Sequence, residues 1–185
     1  MTDPAPSHRA VFLDRDDTLI RNIPYLGDPA QVEILPGVPE ALRALKAAGF
    51  QLLVVSNQSG VGRGLITPGQ VRAVNAAMER LLGPALIDGY YLSFADPSTP
   101  QGRTERKPSP FLLHRAREER GIDLAASCMV GDKKVDVECG RNAGCRASIL
   151  VLTGTEPREV EGAAELATHT APDLLHAARW ILQHA

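Results

Sequence analysis

An apolar run, Val11-Phe12-Leu13, stops in acid: Asp14 and Asp16 follow at once, and Thr18 comes two residues later. A buried strand has no packing reason to end this way, so charge there must be paired, hydrated or bound to a metal. Residues two apart in an extended chain point the same way, which lets Asp14 and Asp16 face one site. One carboxylate so placed can attack phosphorus, while a second protonates a departing alkoxide and then takes a proton from water. Magnesium takes hard oxygen ligands in an octahedron. Asp14, the backbone carbonyl of Asp16 and Asp132 supply part of one, with water for the rest.

These residues need a scaffold. Short apolar runs at 11–13, 52–55, 89–92, 128–130 and 149–152, each bounded by turn residues, read as strands covered on both faces. Helical patterns lie between them. Pro36 and Pro39 open one whose apolar face carries Leu42 and Leu45 and which Gly49 closes. Thr67-Pro68 caps a second that presents Val71, Val74, Met78, Leu81 and Leu82. A third follows Pro108, a shorter one spans 136–143, and Asp173 caps a last one through Leu182. Strands alternating with helices predict an α/β fold: a doubly wound parallel sheet with helices on both faces. The chain reads as one domain over 1–185, with 1–8 as a flexible tail. Two long irregular stretches, 17–35 and 94–107, have the length of functional loops.

In such a sheet, ligands bind beyond the carboxyl ends of the strands. There the sequence offers Ser56-Asn57-Gln58-Ser59-Gly60 after the second strand, Arg106-Lys107-Pro108 before the third helix, and Gly131-Asp132-Lys133 through Asp136 after the fourth strand. The hydroxyl and turn amides of Ser56 and Asn57 suit phosphoryl oxygens. Lys107 suits the charge that grows in the transition state. Together these sets answer the demands of phosphoryl transfer from a monoester.

The series Asp14-Arg15-Asp16-Asp17-Thr18, Ser56, Lys107 and Gly-Asp-Lys-Lys-Val-Asp at 131–136 resembles the haloacid dehalogenase superfamily of phosphatases, with all four motifs in order. Arg15, Ser-Asn-Gln-Ser-Gly, Arg-Lys-Pro and Gly-Asp-Lys are similar to one branch. That branch holds heptose bisphosphate phosphatases and the phosphatase half of histidinol-phosphate enzymes. The resemblance implies a Rossmann-like fold without a separate cap domain. It implies Asp14 as nucleophile, Asp16 as acid/base, and Ser56 and Lys107 as phosphoryl stabilisers. It further implies Asp14, Asp16 and Asp132 on Mg2+, and Arg106 and Lys133 on substrate beside Asn57 and Arg63. Thr18 and Asp136 are expected behind them, Asp136 orienting Lys107 or a metal-bound water. Two departures stand out. The branch commonly carries a zinc loop of Cys and His before Arg-Lys-Pro, but 92–105 holds neither residue, so no zinc is expected. Asp17 stands where the family usually has Gly; aspartate tolerates left-handed backbone better than most residues.

Other features carry less. Gly60 to Gly64 (Gly-Val-Gly-Arg-Gly) lacks the spacing of a dinucleotide loop and reads as a turn beside the phosphate, from which Arg63 can reach substrate. Cys128, Cys139 and Cys145 show no metal spacing and suit a reducing compartment. The five histidines are scattered, Trp180 reads as packing, and Tyr25 suits either a pocket wall or a surface turn. A net charge of -2 disfavours nucleic acid as a partner, and no stretch suits a membrane span or a secretory signal. The expectation is a cytoplasmic, magnesium-dependent phosphatase, monomeric or a small homo-oligomer, acting on a small phosphorylated metabolite. Heptose bisphosphate is the first substrate to test and histidinol phosphate the second. A non-catalytic phosphometabolite-binding protein is the alternative of another class; binding alone needs no second acid at Asp16.

Overall fold

The computed structural model describes residues 8–154 and 162–184. Most of the tail expected at 1–8 therefore lies outside the described residues. His8 itself is anchored: its N–H donates to the Gly121 carbonyl at 3.1 Å and its carbonyl accepts from Asp123 at 2.8 Å.

Six strands form one parallel sheet: β1 (Ala10–Leu13), β2 (Gln51–Asn57), β3 (Gly89–Ser93), β4 (Cys128–Gly131), β5 (Ala147–Val151) and β6 (His169–Ala171), in the order β3-β2-β1-β4-β5-β6. Every pairing is parallel. Around them lie α1 (Val38–Ala47), α2 (Ser59–Gly62), α3 (Pro68–Leu82), α4 (Pro100–Glu105), α5 (Phe111–Arg120), α6 (Lys134–Ala143), α7 (Ala163–Leu166) and α8 (Leu174–His184).

The strand pleat divides the core. Val11, Leu13, Leu52, Val54, Cys128, Val130, Ile149 and Val151 pack against the buried faces of α1, α3 and α8. The alternate residues Ala10, Phe12, Leu53, Val55 and Met129 pack against α5 and α6. With both faces covered, strands must be apolar at every position, which is why they read as continuous runs instead of alternating ones. Each fully buried Leu, Ile or Val contributes roughly 1.5–3 kcal/mol relative to exposure.

The helix starts follow local chemistry. Thr67 accepts from the Gln70 N–H at 3.2 Å while Gln70 Oε1 accepts from the Thr67 N–H at 2.9 Å, a reciprocal capping box. Asp173 Oδ1 accepts from the His176 N–H at 2.9 Å at the head of α8. Trp180 is half-buried against the core, stacked between His169 and His184 with ring centroids 4.9 and 4.3 Å away.

Three of the elements that differ from the sequence reading are β6, α2 and α4. β6 has three residues and no apolar run. The stretch from Gly60 is not a plain turn, because Ser59–Gly62 forms a helical turn. Within the irregular 94–107, Thr99 accepts from the Gly102 N–H at 3.0 Å and starts α4. All three are too short to produce a hydrophobic period.

Chain order reverses at β1, whose neighbours are β2 on one side and β4 on the other. This is the topological switch point, where loops after adjacent strands diverge and leave a crevice. The Asp14 N–H donates to the Val130 carbonyl at 2.9 Å, tying the ends of β1 and β4 together there.

Candidate active site

Lys107 is the hub of the crevice. Its buried ammonium donates to Asp14 Oδ1 at 2.6 Å and to the Val55 carbonyl at 2.7 Å, and pairs with Asp136 Oδ1 at 2.7 Å. Burial alone would lower the Lys107 pKa; the charges of Asp136 and Asp14 more than reverse this and keep it protonated. The protonated Lys107 ammonium therefore lies directly against the Asp14 carboxylate, the group placed to attack.

Asp132 is fully buried, and among the described residues neither of its carboxylate oxygens has a hydrogen-bond partner. Burial pushes its pKa up to about 9, and the charges of Asp14 and Asp136 push the same way against the opposing pull of Lys133. Asp14, Asp132 and Asp136 each offer one oxygen within 4.8 Å of the others. An orphaned buried carboxylate beside two more is what a divalent cation relieves, and an all-oxygen donor set fits magnesium. Asp136, expected only behind the ligands, thus lies inside the acid cluster as well as against Lys107. The Asp16 side chain stands outside this cluster.

Asp136 owes its position to close backbone approach. It sits in the first turn of α6, where its Oδ2 accepts the Lys133 N–H at 3.0 Å. A Cβ on Gly131 would overlap the Asp136 side chain. Gly131→Ala is therefore expected to displace Asp136 from Lys107, costing about 1–3 kcal/mol. A thermal melt reads this as a fall of roughly 2–4 °C per kcal/mol. An unchanged midpoint would show that the packing there is loose.

Asp16 is gripped from two sides. Arg15 Nη2 donates to Asp16 Oδ1 at 2.9 Å and Oδ2 at 3.0 Å. The Gln58 amide donates to Asp16 Oδ2 at 2.9 Å and to Ser56 Oγ at 2.9 Å, linking the motif after β1 to the one after β2. Asn57, expected on substrate, spends its side chain on the Lys107 backbone: Nδ2 donates to the carbonyl at 3.2 Å and Oδ1 accepts the N–H at 3.1 Å. Thr18 is buried, with an unpartnered hydroxyl among the described residues. Asp17 takes the left-handed backbone, φ 55°, that the family's glycine would supply, and its Oδ1 accepts the Asn22 N–H at 3.0 Å.

These groups open into a cavity of about 730 Å³ lined by Asp14, Asp16, Ser56, Asn57, Arg106, Lys107 and Lys133 among others. Tyr25 forms part of its wall. Arg63 does not line it: its Nη1 donates to the Tyr25 hydroxyl at 2.8 Å and its Nε pairs with Asp96 at 3.3 Å. The residue expected to touch substrate instead braces the wall. Arg106 reaches the Ala95 carbonyl at 3.3 Å, a second tie on the same loop. Gln58 and Asn75 carry no role that their place in the sequence announces, and Arg15 is visible there only within the branch motif. A buried polar residue on the apolar face of α3, Asn75, was the one signal available.

The chain is similar to known phosphoester hydrolases. A family model described as HAD-hydrolase-like matches residues 104–177. The D-glycero-D-manno-heptose-1,7-bisphosphate 7-phosphatase of Thermosynechococcus vestitus is 37% identical over 95% of this chain and 96% of its own. The D-glycero-beta-D-manno-heptose-1,7-bisphosphate 7-phosphatase of Escherichia coli K12 is 38% identical over 92% of this chain and 93% of its own. Among solved structures, the D,D-heptose 1,7-bisphosphate phosphatase of B. bronchiseptica, complexed with magnesium and phosphate, superposes with a TM-score of 0.85 at 29% identity, covering 96% of this chain and 99% of that one.

Proposed function

Because this chain belongs to the haloacid dehalogenase superfamily, in the branch that holds the heptose bisphosphate phosphatases, and is a phosphoric monoester hydrolase, we propose that its substrate is D-glycero-D-manno-heptose 1,7-bisphosphate and that it removes the 7-phosphate. The observation that carries the chemistry is the meeting of Asp14, Lys107, Asp132 and Asp136 at the switch point. The names of the relatives support the substrate.

In this reading an Asp14 oxygen bonds to phosphorus as the ester P–O bond breaks. Asp16 hands its proton to the departing sugar oxygen. Asp16 then takes a proton from water, whose oxygen attacks phosphorus and breaks the bond to Asp14, releasing phosphate. Ser56 holds a phosphoryl oxygen, and Lys107 offsets charge gathering on the transferring group. Arg106 and Lys133 on the cavity wall are suited to the substrate's remaining phosphate. Asp14, Asp132, Asp136 and the Asp16 backbone would hold magnesium, which when bound supplies further positive charge at the phosphoryl group. A cytoplasmic location belongs to the same reading.

A phosphate-release screen over sugar bisphosphates, sugar monophosphates and histidinol phosphate tests it. Heptose bisphosphate should give the highest kcat/KM, and chelation should remove the activity. A preference for histidinol phosphate would overturn the substrate. Binding to the native state also stabilises it: magnesium at a hundredfold its Kd adds about 2.7 kcal/mol. For a chain of this size that is a rise in Tm of roughly 5–11 °C. Calcium-free, magnesium-titrated melts that do not move would contradict the metal assignment.

A further inference from the structure

Arg15 is buried to 1% exposure, the largest of the fully buried side chains, and it is charged. Desolvating a guanidinium is costly, and an apolar residue of similar volume usually serves packing as well or better. Its contacts show where that cost is offset. Nη2 reaches both oxygens of Asp16, at 2.9 and 3.0 Å, and Nε adds a longer bond of 3.3 Å to Oδ1. On its other side, Nη1 donates to Asn75 Oδ1 at 3.2 Å.

Asn75 is equally out of place. It lies buried on the face of α3 that otherwise carries Val71, Val74, Ala77 and Met78, and it does not line the cavity. Its side-chain oxygen meets Arg15, so the amide backs the guanidinium from the core side. Gln58 closes the arrangement from β2, donating at 2.9 Å to the same Asp16 oxygen. The planar fork sets the plane of the carboxylate, and the amide sets its rotation.

We infer that Arg15, backed by Asn75, is a positioning residue that aims the Asp16 carboxylate for proton transfer, so that part of the acid/base machinery is built from the buried face of α3. This rests on the reading of Asp16 as the acid/base group. A general acid works only within hydrogen-bond reach and correct orientation, and a displacement of about 1 Å costs on the order of 100-fold.

The test is a pair of substrates with different needs for a proton. A sugar phosphate leaves as a strongly basic alkoxide and needs the acid, whereas p-nitrophenyl phosphate leaves as a stable phenolate and scarcely does. Asn75→Leu, which keeps the branched shape and the apolar face, and Arg15→Lys, which keeps the charge but loses the fork, are measured beside Asp16→Asn. Both positioning variants are expected to lose about 10–100-fold in kcat/KM on the sugar phosphate and no more than about 3-fold on p-nitrophenyl phosphate. Their magnesium-induced rise in Tm should match the parent's. Uniform loss on both substrates, or no loss, in folded Asn75→Leu and Arg15→Lys overturns the inference while a selective loss in Asp16→Asn leaves the acid/base reading standing. Uniform loss in Asp16→Asn itself removes that reading and the inference with it. Should Asn75→Leu not fold, Arg15→Lys decides the matter by the same ratio.

Discussion

Asp14→Asn abolishes phosphate release, by roughly 10⁴- to 10⁶-fold in kcat, and leaves the fold in place. The amide is a poor nucleophile and cannot form the acyl phosphate. The fold survives because Lys107 keeps the Asp136 carboxylate at 2.7 Å and the Val55 carbonyl at 2.7 Å when the 2.6 Å bond to Asp14 loses its charge. Steady-state phosphate release beside circular dichroism and a thermal melt separates the two effects. Retained turnover in this variant would mean that water attacks the ester directly, or that another residue does.

The second large effect joins activity to stability with opposite signs. Asp132→Asn is expected to eliminate magnesium-dependent turnover by a factor on the order of 10³ or more, since an anionic ligand becomes neutral. The same change should raise the Tm of the metal-free protein. Asp132 is wholly buried among Asp14 and Asp136, so its ionised form is opposed first by desolvation and then by like charge. Its folded pKa, about 9, exceeds the ordinary 3.8, so the folded state holds a proton that the unfolded state gives up. Below 3.8 the group is protonated in both states and costs nothing. As pH rises from 3.8 toward 9 the unfolded state is favoured progressively, and the metal-free protein loses stability across that window. Asp132→Asn should flatten this slope, and magnesium should oppose it in the parent. Melts from pH 5 to 9 with and without the ion read all three. A metal-free variant less stable than the parent would mean that the Asp132 charge is already compensated.

The acid pair was legible because packing rules leave it no structural excuse: an apolar strand does not end in Asp14 and Asp16 without a partner for the charge. Asp132 and Lys107 were legible for a related reason. Parallel strands put the polar residues that follow them on one edge, wherever those residues fall in the chain. Side-chain direction was harder to read. Nothing in Ser-Asn-Gln says that Asn57 turns back onto the Lys107 backbone while Gln58 bridges Ser56 to Asp16. Those choices depend on the turn after β2 and on what lies across the crevice. Arg63 was expected against substrate because it is a cation near a phosphate site, yet Tyr25 and Asp96 claim both sides of its guanidinium. Arg15 was legible only as part of the branch motif, and only the position of α3 shows that it is buried and backed by Asn75. The Asp17 turn did follow from residue chemistry: its φ of 55° is one that aspartate accepts at modest cost.

At the centre stands the covalent step, and rapid acid quench during a single turnover addresses it directly. Phosphopeptide mapping by mass spectrometry should find one phosphoryl group on the peptide carrying Asp14, rising and decaying at rates consistent with turnover, and absent from Asp14→Asn. Turnover at full rate with no phosphoryl on Asp14, or with the group on another side chain, would contradict the account.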